Sequence, residues 1–265
     1  MSNESTLTKK LRRTQEQLAL QEGGSRSSAI LSRLIDEVSR PLDETSLICQ
    51  RLLDNAAAKL SPEQRKLIEA VGQNTDAVAR RVRDYIDLVR LEVGDLLVQP
   101  KVLDVDDIIE EVAGRYRSAA RVKGLALTVE PSVGELPAVI ADRARLVQVL
   151  SNLVANAIGF TDHGQVTIST ELYDRSVAIH IVDTGNGIAA TQLPRLFEDF
   201  YHCQGDPSQD KDRPGSGLGL TLARRLIIRM GGDLWASSTV GAGSKFSFTV
   251  PRSPDSAGQA RSVPA

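Results

Sequence analysis

Val182-Asp183-Thr184-Gly185-Asn186-Gly187-Ile188 is the stretch on which the reading of this chain turns. An apolar run ends on an acidic residue, and a Gly-x-Gly turn follows at once. An aspartate placed there can accept a hydrogen bond from an exocyclic amine such as that of adenine. Glycines without a Cβ let the backbone approach a flat ring closely. Taken alone, the segment reads as an ordinary turn. Upstream stands Asn152-Leu153-Val154-Ala155-Asn156-Ala157-Ile158-Gly159-Phe160-Thr161. Asn152 and Asn156 are one helical turn apart and share a face, where an amide oxygen suits a hard cation such as Mg²⁺. Two helix asparagines alone are ordinary polar surface. Downstream, Gly215-Ser216-Gly217-Leu218-Gly219-Leu220 opens a helix that carries Arg224 and Arg225. Free backbone amides at a helix N-terminus receive phosphate. No strand directly precedes these glycines, which argues against a dinucleotide-binding fingerprint.

Around the three clusters, residues 101–250 mix helices and strands. The patterning predicts helices over 104–120, 142–158 and 217–230, and strands over 124–130, 165–172, 176–183, 232–237 and 244–250. This order makes an α+β domain, a two-layer α/β sandwich with one helical layer on a mixed sheet. Two long helices precede it. Over 28–57, Leu31, Leu34, Val38, Pro41, Thr45, Ile48 and Leu52 step by three and four, and Ile35, Leu42 and Cys49 broaden the stripe. Pro41 lacks an amide donor and is expected to kink that helix. Ser61-Pro62-Glu63 reads as an N-cap followed by proline at the first helical position. In the helix that follows, to about Glu92, Leu67, Val71, Asn74, Val78, Tyr85 and Leu88 or Val89 face one side. One such hairpin leaves a wide apolar face uncovered, and two together make a four-helix bundle, so a homodimer is expected. The expected divisions are an N-terminal helix and linker (1–27), a helical hairpin (28–94), the α/β sandwich (95–252) and a disordered Pro-, Ser- and Gly-rich tail (253–265).

Composition narrows the function classes. The chain has 265 residues, 41% of them hydrophobic and 25% charged, which is ordinary for a soluble globular protein. Lys and Arg number 32 against 34 Asp and Glu, and a net charge of −2 argues against nucleic acid as the partner. No apolar run approaches the roughly 20 residues that span a bilayer, and no secretory core follows Met1. The expectation is a cytoplasmic chain without membrane insertion. Cys49 and Cys203 lie far apart and form neither a metal-ligand spacing nor a disulfide framework.

The three clusters in this order resemble the sensor histidine kinases. Asn152 to Thr161 is similar to their N box, Asp183 to Ile188 to the G1 box, and Gly215 to Leu220 to the G2 box. Phe197-Glu198-Asp199-Phe200-Tyr201 resembles the F box, which implies an ATP lid over roughly 198–216, and Gly243 to Pro251 resembles the closing strand. The likeness covers about 28–251. It implies the two-layer ATP-binding fold shared with gyrase, Hsp90 and MutL, preceded by a dimerisation-and-phosphotransfer hairpin. It further implies that Asp183 holds adenine, that Asn156 holds Mg²⁺, and that the Gly217 to Leu220 amides face the phosphates. Asn152, Gly185, Gly187, Ile188, Phe197, Gly215, Gly217, Leu218, Gly219, Leu220 and Thr249 complete the implied ATP site.

One departure decides what the resemblance means. The family carries its phosphorylated histidine in a His-Glu-x-x-Thr/Asn-Pro-Leu pattern, and here the stretch reads Asp36-Glu37-Val38-Ser39-Arg40-Pro41-Leu42. Glu37 and Pro41-Leu42 fix the register, so Asp36 stands at the acceptor position. The three histidines of the chain, His163, His180 and His202, all fall in the ATP-binding domain. Phosphorylating Asp36 would give a high-energy acyl phosphate, and Glu37 would find no proton to remove, because an exposed aspartate is ionised at neutral pH. Arg40 replaces the Thr or Asn that positions water for dephosphorylating a partner. Gly159 replaces a common N-box lysine, and His202 stands where an arginine often follows the F-box tyrosine. The expectation is an ATP-binding, dimeric pseudokinase or scaffold of a two-component-type pathway, with a response regulator or another histidine kinase as partner. The alternative is an active kinase that phosphorylates a partner protein, or Asp36, from ATP.

Overall fold

The computed structural model describes residues 40–54, 60–132, 134–199, 201 and 217–254. They fall into two compact units that divide between Leu97 and Val98, not after Gly94.

The first unit holds a helical stretch over 40–54, α1, and a long helix α2, Pro62–Glu92. α2 starts as Ser61-Pro62 requires. The Gln64 amide donates to Ser61 Oγ at 3.2 Å, and the Ser61 amide donates to Gln64 Oε1 at 2.9 Å. This reciprocal capping box satisfies amides that a helix start leaves open. The helices run antiparallel. Asp43 lies 3.8 Å from Arg83, Ser46 Oγ donates to Asp76 at 2.6 Å, and Cys49 packs over Gly72. Cys49, Ala79, Ile86 and Leu88 are buried, whereas Ile48, Leu52, Leu67, Val71, Val78 and Tyr85 remain exposed, Leu67 at 67%. Of the positions that the sequence puts on one side of α2, Leu67, Val71, Asn74, Val78 and Tyr85 are uncovered, whereas Leu88 is buried. The expected kink at Pro41 depends on the turn before it, which lies outside the described residues, as do the segments 1–27 and 255–265.

The second unit is α+β. Its elements are β1 (Lys101–Leu103), α3 (Val105–Val122), β2 (Ala126–Val129), β3 (Val139–Ala141), α4 (Arg143–Phe160), β4 (Gln165–Leu172), β5 (Ser176–Asp183), α5 (Gly219–Arg229), β6 (Leu234–Thr239) and β7 (Gly243–Pro251). The sheet order is β2-β4-β5-β7-β6, with β2 parallel to β4 and the remaining pairs antiparallel. Helix α4 packs between α3 and α5 and against β5.

β5 is the central strand and is buried along Val177–Ile181. Side chains alternate along a strand, so Val177, Ile179 and Ile181 line one face. Ile181 pairs with Ile168 and Phe246, and Ile179 with Phe248. Leu146, Val149, Leu150 and Leu153 of α4 are fully buried with them. Each such side chain contributes about 1.5–3 kcal/mol by leaving water. α4 is fixed at both ends. Asp142 accepts the amides of Ala144 and Arg145 at 3.0 and 3.2 Å. At the other end, Lys123 Nζ donates to the carbonyls of Ile158 and Gly159 at 2.8 and 2.7 Å, a cation at a helix C-terminus. The patterning gave no sign of the two-stranded antiparallel ribbon β1–β3. Its strands are three residues each, too short to show a period.

Candidate functional site

Asp183 continues the inward row of β5 to its end, so its carboxylate lies between the sheet and the end of α4, 4% exposed. Its Oδ1 accepts the Gly185 amide at 2.8 Å and the Ser244 amide at 3.2 Å. Burial pushes its carboxyl above the ordinary range, and those two amides with the Ser244 hydroxyl pull against it. Both amides fall on one oxygen. The geometry holds an acceptor rigidly in a dry place, which suits a donor such as an exocyclic amine.

The turn after Asp183 is built by contact. A Cβ on Gly185 would meet the Phe160 carbonyl and Asp183 Oδ1. Gly187 has φ +67°, and a Cβ there would collide with the Thr239 carbonyl. The Asn186 amide reaches the Phe160 carbonyl at 3.4 Å. The turn is thus wedged between the end of α4 and the β6–β7 hairpin. Ser238 of β6 locks the far side: it accepts the Ile188 amide at 2.7 Å, donates to the Gly243 carbonyl at 2.8 Å, and lies 3.1 Å from Ser244 Oγ.

The glycine helix meets the asparagine helix directly. Gly219 is the first residue of α5, and a Cβ there would collide with the side-chain amide of Asn152. Asn156 lies one turn further along α4, half-buried. Gly217 has φ +68°, Leu218 is buried, Leu220 is half-buried, and among the described residues no side chain caps the amino-terminus of α5. Uncapped amides at a helix start are an anion site by charge and by donor count. A Cβ at Gly159 would meet nothing within 4 Å.

The F-box segment is pinned to α5 rather than to the sheet. Thr221 Oγ1 lies 3.1 Å from the Phe197 carbonyl and 3.0 Å from that of Glu198, and donates to them. The Arg224 guanidinium sits over the Phe197 ring at 5.0 Å. Arg225 engages both carboxylate oxygens of Asp199 at 2.9 and 3.1 Å. Before the segment, Arg195 pairs with Glu198 at 3.0 Å and lies 4.6 Å over the Tyr201 ring.

Asp183, Gly185, Gly187 and Ile188 therefore gather where β5 ends beside the last turn of α4, and Gly219 meets Asn152 two turns earlier on α4, with Asn156 between the two places. Gly217 and Leu218 lead into α5, Leu220 lies in its first turn and Phe197 lies beneath Arg224. Thr249 does not join them. It pairs with Ala178, five positions from Asp183 along β5, and its hydroxyl accepts the Asp233 amide at 3.0 Å. The β7 residue opposite Asp183 is Ser244, missed because strand register is not written in a motif. Thr221 and Ser238 were missed for the same reason: they act through contacts remote in sequence. Gly215, His202, Asp36 and Glu37 lie outside the described residues.

Residues 141–254 match the family described as histidine kinase-, DNA gyrase B-, and HSP90-like ATPase. Over 240 residues the chain is 30% identical to the aerobic respiration control sensor protein ArcB of Escherichia coli (strain K12), covering 90% of this chain and 30% of that protein. Over 246 residues it is 30% identical to the autoinducer 2 sensor kinase/phosphatase LuxQ of Vibrio parahaemolyticus, covering 89% of this chain and 28% of that protein. The chain spans less than a third of the length of these relatives. Full-length ShkA, solved in complex with AMPPNP, gives a TM-score of 0.67 at 30% identity over 85% of this chain and 46% of that one. The catalytic domain of histidine kinase ThkA, nucleotide-free, gives 0.51 at 28% identity over 59% of this chain and 99% of that one. The α+β unit thus has the fold of, and over residues 141–254 matches, a histidine-kinase-like ATPase domain. Among the described residues, no helix is long and apolar enough to cross a membrane.

Proposed function

We propose that this chain is a dimeric, ATP-binding, histidine-kinase-like signalling protein of a two-component-type pathway, a pseudokinase or scaffold that does not phosphorylate itself on histidine. The observation that carries the nucleotide half is the buried Asp183, whose Oδ1 accepts two backbone amides at the end of β5. An acceptor held this way suits the exocyclic amine of adenine. The uncapped start of α5 fits phosphates, and the half-buried Asn156 offers an amide oxygen to Mg²⁺. The sequence carries the other half: Asp36 stands at the acceptor position, beside Glu37. The uncovered side of the hairpin supports a homodimer through a four-helix bundle. The partner is a response regulator or another histidine kinase, as befits relatives named as sensor kinases.

On this reading ATP works by binding. It shifts the packing of the chain only if it binds one arrangement more tightly than another. Hydrogen exchange across the hairpin, with and without Mg²⁺-ATP, tests this. Altered protection over 62–92 is expected. Nucleotide binding that leaves hairpin exchange unchanged would count against it. A second reading, an active kinase that phosphorylates a partner or Asp36, draws on the same site, since Asp183, Gly185, Gly187, Asn156, Gly217 and Gly219 are all present. Labelled ATP with candidate partners separates the two.

A further inference from the structure

Three side chains on one face of α5 hold the F-box segment: Thr221, Arg224 and Arg225. The same helix presents Gly217 and Gly219 at its amino-terminus. Thr221 is 2% exposed, so its hydroxyl has left water to bind the Phe197 and Glu198 carbonyls. One nitrogen of Arg225, Nη2, reaches both oxygens of Asp199, and the two side chains are 34% and 35% exposed. A charge-assisted contact of this kind is stronger than a neutral hydrogen bond. Nothing in their chemistry reads adenine.

We propose that Thr221, Arg225 and Asp199 are positioning residues of the nucleotide site: they clamp the F-box backbone to α5, so that a nucleotide meeting the α5 amino-terminus meets both elements as one preformed body. This rests on the nucleotide reading given above. A segment already held in place costs a ligand less ordering, so the clamp contributes to affinity without touching the base. Arg225 thereby serves a carboxylate of its own chain.

The test is calorimetric titration of the full chain with Mg²⁺-AMPPNP, and with the GTP analogue for selectivity, alongside hydrogen exchange of the Leu196–Asp199 amides in the nucleotide-free protein. Thr221→Val and Arg225→Ala are each expected to raise Kd by about five- to tenfold, the scale of one lost charge-assisted or buried hydrogen bond. Adenine preference stays unchanged, and exchange at Leu196–Asp199 quickens. Thr221→Ser keeps the hydroxyl and restores Kd, and the exchanged pair Asp199→Arg with Arg225→Asp recovers part of what Arg225→Ala loses. If the unaltered chain binds AMPPNP and both variants bind it equally well, the clamp is overturned and the nucleotide reading stands. If the variants lose adenine preference, they act on the base site and the proposal is wrong. An unaltered chain that binds no AMPPNP overturns the nucleotide reading and this proposal with it.

Discussion

Asp183 is kept ionisable in a place that disfavours its charge. Burial raises its carboxyl, and the Gly185 and Ser244 amides offset that only in part. A carboxyl whose folded value lies above its unfolded value lends stability at low pH and loses it as pH rises through the folded value. Asp183→Asn keeps an oxygen for the two amides and removes the charge. It is expected to raise the melting temperature at neutral pH. The gain shrinks toward acid pH. The same change turns an NH₂ donor toward the donor it must accept, so nucleotide affinity is lost. Thermal melts from acid to neutral pH, with and without Mg²⁺-ATP, check both halves. His180 obeys the opposite sign. It is buried on the other face of β5, with Nδ1 2.8 Å from Ser247 Oγ and Nε2 3.2 Å from Glu171. Burial and Lys245 lower its folded value, and Glu171 opposes them. The unfolded chain therefore takes up the proton first. Stability is full above the ordinary histidine value of about 6.5 and declines as pH falls through it. His180→Gln is expected to flatten that slope in denaturant titrations between pH 5 and 8; an unchanged slope would remove His180 from the account.

Among the elements, glycines separate into those that space requires and those it does not. Gly187 needs its positive φ and its bare α-carbon against Thr239, so Gly187→Ala is expected to cost at least about 1–2 kcal/mol from the backbone alone. Gly114 sits in α3 with nothing within 4 Å of a Cβ, so Gly114→Ala is expected to stabilise by about 0.5–1 kcal/mol. Urea midpoints measure the two against each other. This contrast marks what the sequence could tell. The turn after Asp183 and the start of α5 were legible, because glycine and aspartate at fixed spacing announce their geometry. The Ser61 cap was legible for the same reason. Ser244 and Thr221 were not, because each becomes a site residue only when β7 pairs in register with β5, or when α5 packs on the F box. Thr249 shows the converse: a plausible residue on the right strand, carried about 16 Å from Asp183 by five positions of strand rise. The ribbon β1–β3 was hidden by its length, and His180 by the alternation of a strand buried on both faces.

At the scale of the whole molecule, the two units differ in how far each covers its own apolar surface. The ATPase-like unit closes on its own core. The hairpin does not: Ile48, Leu52, Leu67, Val71, Val78 and Tyr85 form an exposed apolar side, and soluble proteins rarely leave one that is contiguous. On the dimer reading, Leu67→Glu together with Val71→Glu is expected to turn a dimer into a monomer in sedimentation equilibrium, with nucleotide binding retained by the second unit. An unaltered chain that sediments as a monomer would contradict that reading.

On the proposed function, the nucleotide machinery stands while the acceptor is gone. The most direct measurement is incubation with Mg²⁺ and γ-labelled ATP, the unaltered chain beside Asp36→His. The account predicts no label on the unaltered chain and acid-labile label on Asp36→His. Label on the unaltered chain would contradict it and point to Asp36 or another acceptor, and an Asp36→His chain that stays dark would show that more than the acceptor has been lost.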